Sequence, residues 1–142
     1  MTSNEMTGTL RYHRQAALTY VGLGILVIII TFVAGLVPAG VENRLLEFGI
    51  GAVFVLIFGA LIYRGWWLIS AVLILSNSWR AVTYFNDGLG RHMELRPFSI
   101  TEIEPSPVSF VNAVLMAVIV FMLARSAWIG FSDWRSRRLS SN

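Results

Sequence analysis

The chain has 142 residues, of which 56% are hydrophobic and 13% are charged, whereas an ordinary soluble domain is about 25% charged. The 11 basic and 8 acidic side chains are too few to cover the surface of a soluble protein of this size. The apolar content is also too high for a disordered chain. The composition therefore indicates a single domain whose surroundings are mostly lipid.

The residue types that the chain lacks narrow its chemistry. Without cysteine, the chain has no disulfide, no thiolate metal site and no thiol nucleophile. All 11 basic residues are arginine, which is typical of a GC-rich, prokaryotic genome. The net charge of +3 is compatible with a nucleic-acid partner, but the arginines are scattered and only Arg135, Arg137 and Arg138 form a cluster. Such a cluster favours a juxtamembrane anchor, so we expect no nucleic-acid partner.

Apolar runs predict an all-α integral membrane protein with four transmembrane helices and short loops. The run at 16–36 carries no charge and can cross about 30 Å of hydrocarbon at about 1.5 Å per residue. The run at 45–75 is too long for one crossing, and Arg64 and Gly65 interrupt it between aromatic residues, as in a turn at a membrane surface. We therefore divide it into helices at 46–63 and 66–86, and the last run predicts a helix at 108–129.

The distribution of arginine predicts a multi-pass protein of the cell membrane with both termini in the cytoplasm. Four crossings place six arginines in the inner tails, 1–15 and 130–142, and in the inner turn, against three in the outer loops. This asymmetry follows the positive-inside rule. An alternative is a secretory signal cleaved after Ala39, but its apolar run is longer than the roughly 7–15 residues of such signals. The inner arginines are Arg11, Arg14, Arg64, Arg135, Arg137 and Arg138, and the outer ones are Arg44, Arg91 and Arg96.

The longest polar segment is the outer loop at about 86–107. Asn86, Asp87 and Gly88 predict a turn that ends the third helix. Apolar and polar residues then alternate loosely, which favours a short strand or hairpin on the membrane face, and Pro97 limits it to an edge or a bend. The loop is too small for a separate domain, so we treat residues 1–142 as one membrane domain.

Catalytic motifs are nearly absent from the sequence. His13 and His92 lie in segments predicted on opposite sides of the membrane, so they cannot share a metal or a haem within one chain. No acidic residue lies deep in a predicted helix, as the carboxylates of a hydrolase or a proton relay would. The sequence therefore predicts neither an enzyme nor a metal or cofactor site.

A few polar residues lie at membrane depth and form a candidate polar cluster. Arg80 falls in the outer half of the third helix, with Asn77 three residues before it on an adjacent face. Thr31 on the first helix and Asn112 on the fourth lie at a similar depth. Because a charge there is unfavourable, one interpretation is that Arg80 extends to the outer headgroups or pairs with an outer-loop glutamate. The other is that it forms an anion or headgroup site with Asn77 and Asn112.

Small residues predict where helices approach one another closely. They recur at spacings of four and seven on the fourth helix and of seven and eight on the second. Such stripes serve packing within one chain or contact between copies, and both interpretations stay open. The candidate packing residues are Gly51, Ala52, Gly59, Ala113, Ala117 and Ala124.

Together these patterns favour a non-catalytic polytopic membrane protein, an accessory or assembly subunit or a homo-oligomer. Its expected partners are the lipid bilayer and other copies of the chain or a larger membrane complex. The alternative is a small oligomeric channel or transporter with an anion-interacting Arg80 cluster, although the missing membrane carboxylate counts against coupled transport. A third hypothesis, membrane lysis of the holin type, fits the short helices and the basic tail but has no positive signature.

Overall fold

The computed structural model describes residues 3–34, 44–94 and 99–140, which are mostly helical. Within these ranges the chain forms four helices, with an antiparallel hairpin between the third and the fourth. The elements in chain order are α1 (Ser3–Val33), α2 (Arg44–Tyr63), α3 (Trp67–Gly88), β1 (Arg91–Glu94), β2 (Ser99–Glu102) and α4 (Pro107–Ser140).

Three of these helices are long and apolar enough to cross a membrane. The candidate spans are Gly8–Val33, Trp67–Gly88 and Pro107–Leu139. In α2 the apolar segment Phe48–Tyr63 is shorter than these spans. The chain is thus a mostly helical protein with three candidate membrane-spanning helices, and the fourth crossing stays a prediction.

Both α1 and α4 extend beyond the apolar runs that predict them. With 31 and 34 residues, they measure about 46 and about 51 Å at about 1.5 Å per residue. The segments expected to be tails are therefore helical over 3–15 and 130–140. Hydropathy marks where a segment can enter lipid, whereas a helix continues until the sequence stops it, and no proline lies in either segment.

The helices are arranged so that α1 packs against α2 and α4, and α4 packs against α1 and α3. The α2–α3 connection is the short turn at Arg64 and Gly65, where Gly65 has a φ of +88°, a conformation open to glycine. A side chain added at Gly65 would meet the ring of His13 at 3.6 Å, and the guanidinium of Arg125 lies 4.4 Å from the ring centre of Tyr12. The start of α1 and the second half of α4 therefore lie at the same end of the bundle as this turn.

The hairpin predicted in the outer loop is confirmed. Its register pairs Arg91 with Glu102, and Nδ1 of His92 lies 2.8 Å from a carboxylate oxygen of Asp87 at the end of α3. The expected effect of Pro97 falls outside the described residues. The hairpin therefore caps the end of the bundle opposite the α2–α3 turn.

The packed core lies mainly between α1, α3 and α4, while many large apolar side chains on the helices point outward. Leu75 and Val33, for example, are 76% and 78% exposed. Helices that carry apolar side chains on their outer faces as well as in the core are typical of lipid surroundings. The buried apolar core consists of Ala16, Ala17, Tyr20, Val27, Ile62, Leu73, Met116, Ile119 and Leu123.

Candidate functional site

A cavity of about 430 Å³ lies between α1, α2 and α3, with Met116 contributed by α4. Its volume falls within the range of about 300–1,000 Å³ that is typical of small-molecule sites. Most of its lining is aliphatic or aromatic, and its polar side chains come from α1 and α3. These polar residues are Tyr20, Thr31, Ser76, Asn77, Arg80 and Tyr84.

Helical spacing explains how each element contributes one face to the cavity. On α3 the polar lining residues recur at spacings of one, three and four, from Ser76 through Arg80 to Tyr84. On α1 and α2, Gly24 and Gly51 remove side-chain volume from the wall. A Cβ at Gly51 would meet only Ile28 Cδ1, at 3.8 Å. The empty volume therefore follows in part from these glycines.

Arg80 is the one charged side chain among the described residues that line this cavity. Within the described ranges it makes no hydrogen bond and no ion pair. The Cα–Cβ bonds of a helix tilt toward its N-terminus, so the base of this side chain is directed toward Asn77 and Ser76 and away from the hairpin. The site therefore presents an unneutralised guanidinium beside apolar walls.

Of the other members of the predicted polar cluster, Thr31 and Asn112 are hydrogen-bonded to each other, whereas Asn77 bonds within its own helix. The amide of Asn112 donates to Thr31 Oγ1 at 3.2 Å, and Thr31 Oγ1 donates to the carbonyl of Val27 at 2.7 Å. Asn77 Nδ2 donates to the carbonyl of Leu73 at 2.7 Å. Three of the four predicted residues, Thr31, Asn77 and Arg80, thus line the same cavity. Asn112 is fully buried behind Thr31 and does not line it.

Three polar lining residues were not among the sequence candidates. Ser76 lies four residues before Arg80 and Tyr84 four residues after it, so both share its face of α3. Tyr20 comes from α1, and its hydroxyl has no hydrogen bond to any residue that the structure describes. The helical spacing around Arg80 could have indicated the first two. Tyr20 can be identified as a lining residue only from the packing of α1 against its neighbours.

A second buried polar cluster lies at the opposite end of the bundle. His13 Nδ1 is 2.7 Å from Ser126 Oγ, which is 3.3 Å from Ser70 Oγ. These side chains come from α1, α4 and α3 and are 3%, 1% and 0% exposed. The contact between Ser126 and His13 therefore connects α4 to α1 inside the bundle.

The predicted packing residues fall into different surroundings. Gly59 is buried against Val21 of α1, too closely for a side chain at that position. Ala113 is buried and Ala52 is half-buried, whereas Ala117 and Ala124 are exposed on α4. No helix among the described residues covers these last two alanines.

No group of three or more potential metal-ligating side chains is placed to hold a metal ion in the part of the chain that the structure describes. Comparisons with protein-family models, with curated proteins and with solved structures found no match for this chain. The features that bear on function are therefore the cavity, the exposed face of α4 and the arrangement of the helices.

Proposed function

We propose that this chain is a small multi-pass membrane protein that acts by association within the bilayer and not by catalysis. It serves as an accessory or assembly subunit or as a homo-oligomer. The observation that carries this proposal is an exposed stripe on α4, formed by Ala117, Phe121, Ala124 and Trp128. Their spacings of four, three and four confine them to about 60° around the helix axis.

Small and large side chains alternate along this stripe. Phe121 and Trp128 are 66% and 72% exposed, and each projects beside an alanine. Burial of apolar surface provides no net drive for association in lipid, so helices associate where small residues allow close packing. An aromatic ring of a second helix can fill the gap over Ala117 or Ala124 as a ridge enters a groove. The stripe therefore suits contact with another copy or with a complementary helix.

Single-cysteine cross-linking tests this association, because the chain contains no cysteine of its own. A disulfide requires Cα atoms within about 7 Å, so oxidation of Ala117→Cys or Ala124→Cys in membranes should yield a covalent dimer. The matched control is Val72→Cys, since Val72 is an exposed apolar residue on α3. It should stay monomeric.

Native mass spectrometry of the full chain in mild detergent completes the test. A dimer, or a co-purifying partner that cross-links at Ala117, supports the proposal. A monomer without a partner, together with no cross-link at either alanine, contradicts it.

We further propose that the chain crosses the cell membrane four times with both termini in the cytoplasm. The antiparallel packing supports this topology, because the start of α1, the α2–α3 turn and the end of α4 meet at one end of the bundle. That end carries most of the arginines, which favours its placement on the cytoplasmic side.

A second candidate function is a small channel or transporter for an anion. It is favoured by Arg80, which lines the cavity without an acidic neighbour among the described lining residues. Four helices cannot surround a wide pore, so this function requires oligomerisation. Proteoliposomes should then show a phosphate or chloride flux that Arg80→Leu abolishes. Proteoliposomes with no flux above that of empty liposomes contradict this candidate.

A further inference from the structure

We propose that the cavity between α1, α2 and α3 binds an anionic amphiphile that enters from the bilayer. Its acyl chain lies along the apolar walls, and its oxoanion head group, a carboxylate or a phosphate, pairs with Arg80. The inference is independent of association through α4. It names a ligand class for the Arg80 site of the second candidate function, and it holds whether or not the ligand is transported.

The position of Arg80 along α3 favours an anionic partner inside the cavity. Its Cα lies eight residues before the end of α3 at Gly88, about 12 Å along the helix. The tilt of the Cα–Cβ bond directs the side chain away from that end, so an extended path to the headgroups beyond Gly88 requires the chain to turn back. A cationic side chain at this depth is unfavourable without a partner. An anion inside the cavity supplies that partner.

The donors around the cavity match an oxoanion. A guanidinium offers a planar fork of N–H groups that fits two oxygens of one carboxylate or phosphate. The Tyr20 hydroxyl is a further donor, and it makes no hydrogen bond to a described residue. No aspartate or glutamate is among the lining residues, so the electrostatic preference of the site is for a negative charge.

The remaining lining favours a ligand with an acyl chain over a free ion. The rest of the lining is apolar, with Val27 and Ile28 from α1, Val55 and Phe58 from α2, and Leu73 from α3. Helix α3 packs extensively against α4 and only loosely against α2. The gap between these two helices therefore forms the side of the cavity that faces lipid. An amphiphile already partitions into the bilayer, whereas a hydrated anion would have to cross apolar surroundings to reach this opening.

Native mass spectrometry of the full chain in detergent can test the ligand class with four probes. Oleate and oleoyl lysophosphatidate carry both an acyl chain and an anionic head, oleyl alcohol carries the chain alone, and inorganic phosphate carries the charge alone. We expect both anionic amphiphiles to bind at least about tenfold more tightly than oleyl alcohol, the effect of one charge-assisted interaction. Whichever of the two binds more tightly identifies the head group as carboxylate or phosphate.

Two pairs of variants localise the binding. Arg80→Leu should remove the preference for oleate over oleyl alcohol, whereas Arg91→Leu, at an exposed arginine on β1, should keep it. Gly51→Leu should fill the cavity and weaken oleate binding by about tenfold or more, because only Ile28 Cδ1 lies within 4 Å of the added Cβ. Gly49→Leu is its matched control on α2, since Gly49 is exposed with no neighbour within that distance.

The outcomes separate this inference from the proposals above. Equal binding of oleate and oleyl alcohol overturns it, as does oleate binding that neither Arg80→Leu nor Gly51→Leu weakens. Phosphate binding that depends on Arg80, without oleate binding, overturns the amphiphile and leaves the second candidate function standing. Amphiphile binding without anion flux in proteoliposomes supports this inference and contradicts that candidate.

Discussion

Polar side chains buried among apolar helices act in this protein mainly as connections between helices. The contact between His13 and Ser126 joins α1 to α4, and Ser70 brings α3 to the same point. At the other end, Asn112 and Thr31 join α4 to α1. A buried polar group that loses its only partner loses more free energy than the hydrogen bond itself contributes, because its desolvation is no longer compensated.

Ser126→Ala should therefore destabilise the protein by about 1–3 kcal/mol, since the buried Nδ1 of His13 loses its hydrogen-bond partner. The measurement is the thermal unfolding midpoint of the purified variant in one detergent. Ser132→Ala is the control, because Ser132 lies on the same helix and is exposed. Equal midpoints for the two variants would mean that the contact contributes nothing to stability.

The sequence identified some of these residues but not their partners. Arg80, Asn77 and Thr31 stood out as polar groups at membrane depth, and they do line one cavity. For His13 the sequence offers only a metal-ligand interpretation, because nothing local to it indicates Ser126, which is 113 residues away. Nothing local indicates the place of Tyr20 in the cavity either. A partner on another helix depends on how the helices rotate and pack, and apolar patterning carries little information on rotation when apolar residues surround the whole helix.

At the level of helices, close approach of α2 to α1 depends on small residues, above all on Gly59. Gly59→Leu should destabilise the protein by about 1–3 kcal/mol through overpacking, because Val21 occupies the space that a side chain would need. Gly49→Leu gains the same intrinsic helix propensity at an open position of α2 and should not destabilise. Thermal unfolding of both variants in the same detergent provides the comparison. A Gly59→Leu variant as stable as Gly49→Leu would show that α1 and α2 separate without penalty.

The helices themselves follow from hydropathy, but their ends do not. The division of the middle apolar run at Arg64 and Gly65 agrees with the end of α2 and the start of α3. By contrast, α4 continues from Ile129 to Ser140, where an ion pair of 2.7 Å between Asp133 and Arg137 spans one helical turn. Charged residues end an apolar run without ending a helix, and i,i+4 pairs stabilise the exposed turns. Composition therefore predicts the length of the segment that can lie in lipid, and it underestimates the length of the whole helix.

For the whole molecule, arginine and aromatic residues are concentrated at one end of the bundle. Arg14 lies 5.1 Å from the ring centre of Tyr63, and Arg138 lies 4.6 Å from that of Trp134. Trp67 packs edge-on against Phe131 at 5.6 Å. Aromatic rings with arginine are typical of the interface between lipid and water, where the ring lies among headgroups and the cation stays hydrated. This end is therefore suited to a membrane surface, which agrees with the proposed topology.

Labelling of single cysteines with a membrane-impermeant maleimide tests the complete topology, because the chain has no cysteine to interfere. Four crossings predict that Gly40→Cys and Leu89→Cys react in intact cells, whereas Trp66→Cys and Asn142→Cys react only after permeabilisation. The decisive pair is Gly40→Cys and Trp66→Cys, which flank α2, the helix whose apolar segment is shorter than the three candidate spans. Reaction of both from the same side would mean that α2 does not cross. The arginines of the N-terminal segment would then lie on one side of the membrane, and those of the α2–α3 turn and the C-terminus on the other. That distribution would contradict the charge asymmetry that favours four crossings.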